Sequence, residues 1–285
     1  MIRLIASDMD GTLLNPLGEI SPKNIAAIKA LEQKQVGIVV CTGRNYPDAY
    51  EPLEKAGISC DIICMNGAAV FDRNGEKLRN QPLLKSQVHA ILNICRPYSV
   101  IYDFMTEEGS TTTASREELK RSFENHIFLS MLSEEHTFET IESRFAFTTE
   151  SSLLSSDTDI YKMSVVHENQ KFLQEIRLLL EKEEGISIAS SAPNNLELTH
   201  AKAQKGSALM EYAVRNKIRP NEILAIGDSE NDLSMLRLPI GYTVAMGNAS
   251  ELVKKHTRLI TRSNEKDGVA YAIEALILSE AAASS

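Results

Sequence analysis

The chain has 285 residues, 43% of them hydrophobic and 24% charged, and a formal net charge of −9. That length suits one large domain or two, with ample material for a core, and the acidic balance argues against a general nucleic-acid binder, which needs a basic surface to displace counterions. No apolar run reaches ~18 residues and no leader-type segment opens the chain, so neither a membrane span nor export is expected and cytoplasmic residence is the default.

Elements follow in chain order. IRLIAS reads as a strand. SPKNIAAIKALEQKQ reads as a helix, with Ser21 as N-cap, Pro22 at the first helical position and Ile25, Ile28 and Leu31 on one face. VGIVVC is a continuous apolar strand suited to a sheet covered on both faces. PDAYEPLEKAG is a short helix interrupted by Pro52. CDIICMNGAAVF is a further strand, and DRNGE a hairpin turn. From about Leu84 to Leu196 the pattern changes. The strands SVIYDFMT, STTTAS, DIYKMSVVH and ISIASSA are amphipathic, helices such as REELKRSFENHIF and ENQKFLQEIRLLLEKEEG separate them, and polar stretches such as TTESSLLSSDTD punctuate them. This suggests an α+β unit with one sheet face exposed. The strand–helix rhythm then returns in KGSALMEYAVRNK, EILAIGDSENDLSML, GYTVAMGNASELVKKH and RLIT, and the final EAAASS reads as a frayed end. The expectation is α/β: a Rossmann-like parallel-sheet core from residues 1–83 and 197–285, with an α+β cap inserted at 84–196.

Four stretches fall at the C-terminal ends of expected strands, the edge where open parallel sheets bind ligands. They are DMDGTLL, CTGR, the Lys205 of AQKG and GDSENDLSML. One site can therefore collect Asp8, Asp10, Thr42, Arg44, Lys205, Asp228, Asn231 and Asp232. Carboxylates gathered this closely repel, and a hard divalent cation removes the conflict. Magnesium suits a site of one or two carboxylates, water and phosphate oxygens. Asp8 and Asp228 are the expected first ligands, and Lys205 and Thr42 add donors aimed at an anion. Gly11 and Gly43 leave backbone N–H groups accessible, and Gly11 also permits a tight turn. A metal, a free carboxylate and a phosphate cradle suggest phosphoryl transfer, with Asp8 as nucleophile and Asp10, brought back by a turn, as acid/base.

Taken in order, DMDGTLL, a strand ending in TGR, a KG lysine and GDxxND resemble the haloacid dehalogenase-like superfamily. The closest resemblance is to its Cof-type phosphatases, and it spans the chain, including NGA at Asn66–Ala68, MGNAS at Met246–Ser250 and EKDGVAYAIEAL. The resemblance implies that Asp8 is nucleophile and magnesium ligand, that Asp10 is acid/base and gives its carbonyl to the metal, and that Thr42 bonds the transferring phosphoryl group. It implies that Lys205 neutralises charge, Asp228 ligates the metal, Asp232 orients it and Asn231 reaches a phosphoryl oxygen. The cap would cover the site and read the leaving group.

The expected substrate is a small phosphorylated metabolite, such as a sugar phosphate or phosphorylated cofactor, with no nucleic-acid or membrane partner. A phosphomutase or phosphotransferase on the same scaffold and a non-catalytic phosphometabolite-binding protein are the alternatives. Dehalogenation has no need for Asp10 as an acid. Arg44 suits a substrate contact or a structural ion pair equally, and Asn66 a site contact or a plain NG turn. His200 and Lys162 read chiefly as solvated. Cys41, Cys60, Cys64 and Cys95 form no CxxC pair and read as small buried hydrophobes.

Overall fold

The computed structural model describes residues 1–125 and 137–279. His126–Phe128 of the REELKRSFENHIF stretch and the terminal EAAASS lie outside the described residues. The first apolar runs form β1 (Leu4–Ser7), β2 (Gly37–Cys41), β3 (Asp61–Cys64), β4 (Ala69–Phe71) and β5 (Lys77–Asn80). Helix α1 (Pro22–Gln33) starts where its signals put it, with the Ser21 hydroxyl accepting from the Asn24 N–H at 3.1 Å and Ile28 and Leu31 buried. Helix α2 (Tyr46–Lys55) forms around Pro52. CDIICMNGAAVF, expected as one strand, is two. β3 and β4 pair antiparallel across a turn in which Met65, Asn66 and Gly67 have φ of 50°, 55° and 95°. The turn is pinned where Asn66 N–H donates to the Thr42 carbonyl and Met65 N–H to that of Arg44, so it lies against the TGR loop. Gly75 makes the expected hairpin turn to β5.

The middle of the chain supplies β6 (Ile101–Met105), β7 (Ser110–Thr112), β8 (Phe145–Phe147), β9 (Lys162–Val166), β10 (Ile186–Ala189) and β11 (Asn195–His200). These form a second sheet in the order β10-β11-β9-β6-β7-β8. Its helices are α3 (Lys85–Cys95), α4 (Arg116–Glu124), α5 (Phe138–Glu142), α6 (Glu150–Ser155) and α7 (Gln170–Leu180). The polar TTESSLLSSDTD stretch thus holds a helix, α6, because Thr149 caps it through Ser152 N–H and Leu153 is buried. The chain then returns through α8 (Lys205–Arg215) to β12 (Ile223–Gly227), β13 (Tyr242–Ala245) and β14 (Leu259–Ile260). The first sheet runs β14-β13-β12-β1-β2-β3-β4-β5. From β14 to β3 the strands are parallel, and only the β4–β5 edge is antiparallel. β1 and β12, from opposite ends of the sequence, lie side by side at its centre. The expected boundary at 196/197 falls inside β11, which belongs to the second sheet from Asn195 to His200.

Alternation divides the second sheet into two faces. Phe104, Met163, Val165, Leu196 and Leu198 pack with residues of α3 and α7 in an apolar layer. The opposite face carries Asp103, Lys162, Ser164, Asn195, Glu197 and Thr199. It is polar, as the sequence pattern says, but it is buried rather than solvated. It lies over the C-terminal edge of the first sheet. There Glu197, 3% exposed, accepts from Lys162 Nζ at 3.0 Å, from Asn66 Nδ2 at 2.7 Å and from Asn231 Nδ2 at 3.2 Å. Burial pushes the Glu197 carboxyl up, but Lys162 and the Asn66 amide bring it down to about 2. The group therefore adds stability above the ordinary carboxylate range and loses it only in strong acid. Removing one partner of a buried pair leaves the other charge stranded. Glu197→Leu is therefore expected to cost about 3–5 kcal/mol, read as a shift in denaturant midpoint, with most of it recovered in Lys162→Met/Glu197→Leu. An unshifted single variant would show that the buried pair contributes nothing to stability.

Candidate active site

Asp8 follows the last residue of β1, and its N–H donates to the Ile226 carbonyl of β12 at 2.9 Å. Asp228 follows β12, and Lys205 is the first residue of α8. The strand order reverses direction between β1 and β12, the switch point at which open α/β sheets bind ligands. Lys205 is fully buried and donates to Asp8 Oδ1 and Asp232 Oδ1, both at 2.6 Å. The other oxygen of Asp232 accepts the N–H groups of Asp228 (2.8 Å) and Ser229 (3.0 Å). Asp228 accepts from the Thr12 hydroxyl at 3.0 Å and the Ser229 hydroxyl at 3.1 Å. At Gly11 the turn needs φ of 72°, and a Cβ there would sit 2.5 Å from Asp228 Oδ2, so no other residue type fits without displacing that carboxylate.

The electrostatics are unbalanced. Burial, and next the Asp232 carboxylate, push the Asp8 carboxyl well above its ordinary range, with Lys205 opposing them. The same two causes push Asp228 up to about 6. Burial would lower the Lys205 ammonium, but Asp232 and Asp8 outweigh it and raise it. Oxygens of Asp8, Asp228 and Asp232 all lie within 4.8 Å of one another. Three carboxylates against one ammonium leave two negative charges uncompensated. An all-oxygen donor set with that deficit fits a hard divalent cation. Asp8 has the most capacity for it, since only its Oδ1 is engaged; Asp228 takes a single hydroxyl on each oxygen, whereas Asp232 takes the Lys205 ammonium on one and two backbone N–H groups on the other.

Asp10 and Arg44 form a second unit. Arg44 Nε and Nη2 donate to the two Asp10 oxygens at 2.9 and 2.6 Å, and Nη1 donates to the Asp48 carbonyl at 3.0 Å. That carbonyl is free because of Pro52. In α2, residue 52 should donate its N–H to the carbonyl four residues earlier, and proline has none to give. The apparent defect in the helix thus becomes the anchor for Arg44. Desolvation in the cleft raises the Asp10 carboxyl, but the charge and hydrogen bonds of Arg44 overcome it and hold Asp10 below its ordinary value. Of the two roles that suited Arg44, substrate contact and structural ion pair, its donors make the ion pair with Asp10 and a bond to the Asp48 carbonyl.

Thr42 is fully buried and its hydroxyl oxygen accepts from the Arg44 N–H at 3.1 Å; its own proton is still available to an acceptor. Gly43 sits beneath the second sheet. A Cβ there would lie 3.1 Å from Lys162 Nζ and 3.4 Å from Glu197 Oε1. Asn231 gives its amide nitrogen to Glu197 and, at 3.4 Å, to Asn66. Lys162 is buried rather than solvated. His200 ends β11, where its Nδ1 accepts from the Lys202 N–H. Glu197 and Asp48 were not singled out from the sequence. The alternation of NLELTH places Glu197 on the polar face, and the Asp48–Pro52 spacing of four marks the free carbonyl. A cleft of about 870 Å³ joins Asp8, Asp10 and Asp228 to Asp103, Lys162 and Glu197 on the sheet above. Among the described residues, no helix is long and apolar enough to cross a membrane.

Comparison with known proteins agrees with this geometry. The chain is 32% identical to the phosphatase YwpJ of Bacillus subtilis, covering 97% of this chain and 100% of the relative. It is 30% identical to the 5-amino-6-(5-phospho-D-ribitylamino)uracil phosphatase YcsE of the same organism, covering 97% and 96%. The solved structure of a haloacid dehalogenase-like hydrolase from B. subtilis superposes with a TM-score of 0.86 at 30% identity, covering 97% of this chain and 100% of that one. The model of the haloacid dehalogenase-like hydrolases matches residues 5–273, and the chain belongs to that family.

Proposed function

We propose that this hydrolase is a magnesium-dependent phosphatase of small phosphorylated metabolites, working through a phosphoryl group carried on Asp8. The observation that carries this reading is the Asp8–Lys205–Asp232 chain of charges beside Asp228. It holds a carboxylate by one oxygen only, in a cleft with two uncompensated negative charges. Residues 1–83 and 201–285 form the catalytic core, and the second sheet with its helices forms the cap. Asp8, Asp228 and the Asp10 carbonyl would hold the magnesium, and Asp232 keeps them in place through Lys205 and the loop amides. When bound, the metal offsets the carboxylates and draws charge from the phosphoryl oxygens.

Asp8 Oδ2 attacks phosphorus in line, and the bond from phosphorus to the leaving oxygen breaks. Lys205, held against Oδ1, fixes the rotamer of the nucleophile, and Thr42 donates its hydroxyl proton to a phosphoryl oxygen. The backbone N–H groups at Gly11 and Gly43 complete the cradle. Asp10 gives a proton to the leaving alkoxide. It then takes one from the water that attacks the phosphorus of the aspartyl phosphate, which frees Asp8 and phosphate. Paired with Arg44, Asp10 is a carboxylate suited to the second half. The first half needs it protonated, and the pair sets how readily that happens.

Phosphate release from a panel of small phosphate monoesters tests the reading. Release is expected with magnesium, to be lost with chelator, and to fall by at least ~10³-fold in Asp8→Asn. Full activity in that variant would sink the proposal. Arg44→Ala is expected to let the Asp10 pKa rise. If Asp10 enters protonated, the alkaline limb of the kcat/KM profile then moves to higher pH, and an unmoved limb would remove Asp10 from the acid role. Asp228 gives a stability test. Its folded pKa of about 6 exceeds its unfolded value. Its contribution is thus favourable below the ordinary carboxylate pKa and is lost as pH rises through about 6. In chelator at neutral pH, Asp228→Asn should be more stable than the wild type by about 1–3 kcal/mol, and magnesium should stabilise the wild type only. Melting curves that rank the two proteins the other way would count against the metal assignment.

A further inference from the structure

The cleft continues beyond the phosphoryl corner to the polar face of the cap sheet, and one group there is unmatched. Asp103, in the middle of β6, is 6% exposed and lines the cleft. Its carboxylate takes a hydrogen bond from Ser110, but Oδ1 has no partner. The nearest cation on the sheet, Lys162, is committed to Glu197 at 3.0 Å. Directly across the β6–β9 ladder from Asp103 is Ser164, fully buried, whose hydroxyl also lacks a partner. A buried acceptor left open costs stability unless something donates to it. The residues around it are not a stacking platform. Among the described residues that line the cleft, Phe145 is the only aromatic.

We propose that Asp103 is a specificity-determining residue whose unpartnered carboxylate oxygen accepts a hydroxyl of the leaving group, so that preferred substrates are phosphate monoesters of polyhydroxylated alcohols. This rests on the phosphatase reading above. A site built to pair with a hydroxyl rejects an analogue without it far more strongly than an apolar pocket rejects a missing methylene, because the carboxylate would again be stranded.

The test compares glucitol 6-phosphate with hexyl phosphate, the same carbon chain without its hydroxyls. In the wild type kcat/KM should favour the polyol ester by ~100-fold or more, and in Asp103→Asn and Asp103→Ala that ratio should fall by ~10-fold or more. The ratio is taken within each protein, so a general loss of activity or stability does not move it. The isosteric Asn variant guards against a misfolded Ala one. A wild-type ratio near one, or a ratio unchanged in both variants, overturns the assignment. p-Nitrophenyl phosphate separates the two readings. If wild type turns over neither it nor any other ester, the phosphatase reading fails. Calorimetric binding of the two esters to wild type and to Asp103→Asn then decides the role of Asp103. A difference between the esters that shrinks in the variant supports it, and equal differences overturn it.

Discussion

The fully buried ammonium of Lys205 is the constraint on which the rest of the site depends. It sits between Asp8 and Asp232 at 2.6 Å from each, in a place where an unpaired charge of either sign would cost several kcal/mol. Lys205 can be there only because α8 begins there, and Asp8 and Asp232 can face it only because β1 and β12 are neighbours. The charge chain thus ties three segments that are distant in sequence. Asp232 extends it by accepting two backbone N–H groups of the loop after β12, which fixes that loop and hence Asp228. The arrangement satisfies the lysine and not the carboxylates, and that deficit makes the site a place for a cation.

A second constraint works through backbone rather than charge. Pro52 withholds a hydrogen bond from the Asp48 carbonyl, Arg44 takes the vacant acceptor, and the same guanidinium grips both oxygens of Asp10. A helix position that looks unfavourable by propensity alone thereby sets the orientation and the proton affinity of a carboxylate on a different element. The cap closes the arrangement from above. Its Lys162–Glu197 pair is packed against Gly43 and bonded to Asn66 and Asn231, so the polar face of one sheet and the ligand-binding edge of the other share one buried network.

Much of this was legible in the sequence. Ser21 and Pro22 marked a helix start, continuous apolar runs marked the parallel strands, and the carboxylates at strand ends marked the site and its need for a cation. What sequence reading missed depends on tertiary neighbours. The NGA turn splits a strand because the TGR loop offers carbonyls to its amides, which no local pattern states. The amphipathic cap strands looked half solvated, since alternation tells which face is polar but not whether a second sheet covers it. The sequence left Arg44 even between a substrate contact and a structural ion pair, and only the fold shows the ion pair with Asp10, anchored by the carbonyl that Pro52 frees; the bond from Asn231 to Glu197 likewise depends on a tertiary neighbour. The expected boundary at 196/197 cuts through β11, whose membership of the second sheet is set by its pairing with β9 and β10 rather than by any local pattern.

The central claim is that Asp8 carries the phosphoryl group. The most direct measurement is to mix the protein with magnesium and p-nitrophenyl phosphate, quench in acid, reduce with borohydride and sequence the peptides by mass spectrometry. An aspartyl phosphate is reduced to homoserine, and the account predicts homoserine at position 8. Homoserine at any other position, or none anywhere while phosphate is released, would contradict it and point to another nucleophile or to direct attack by water.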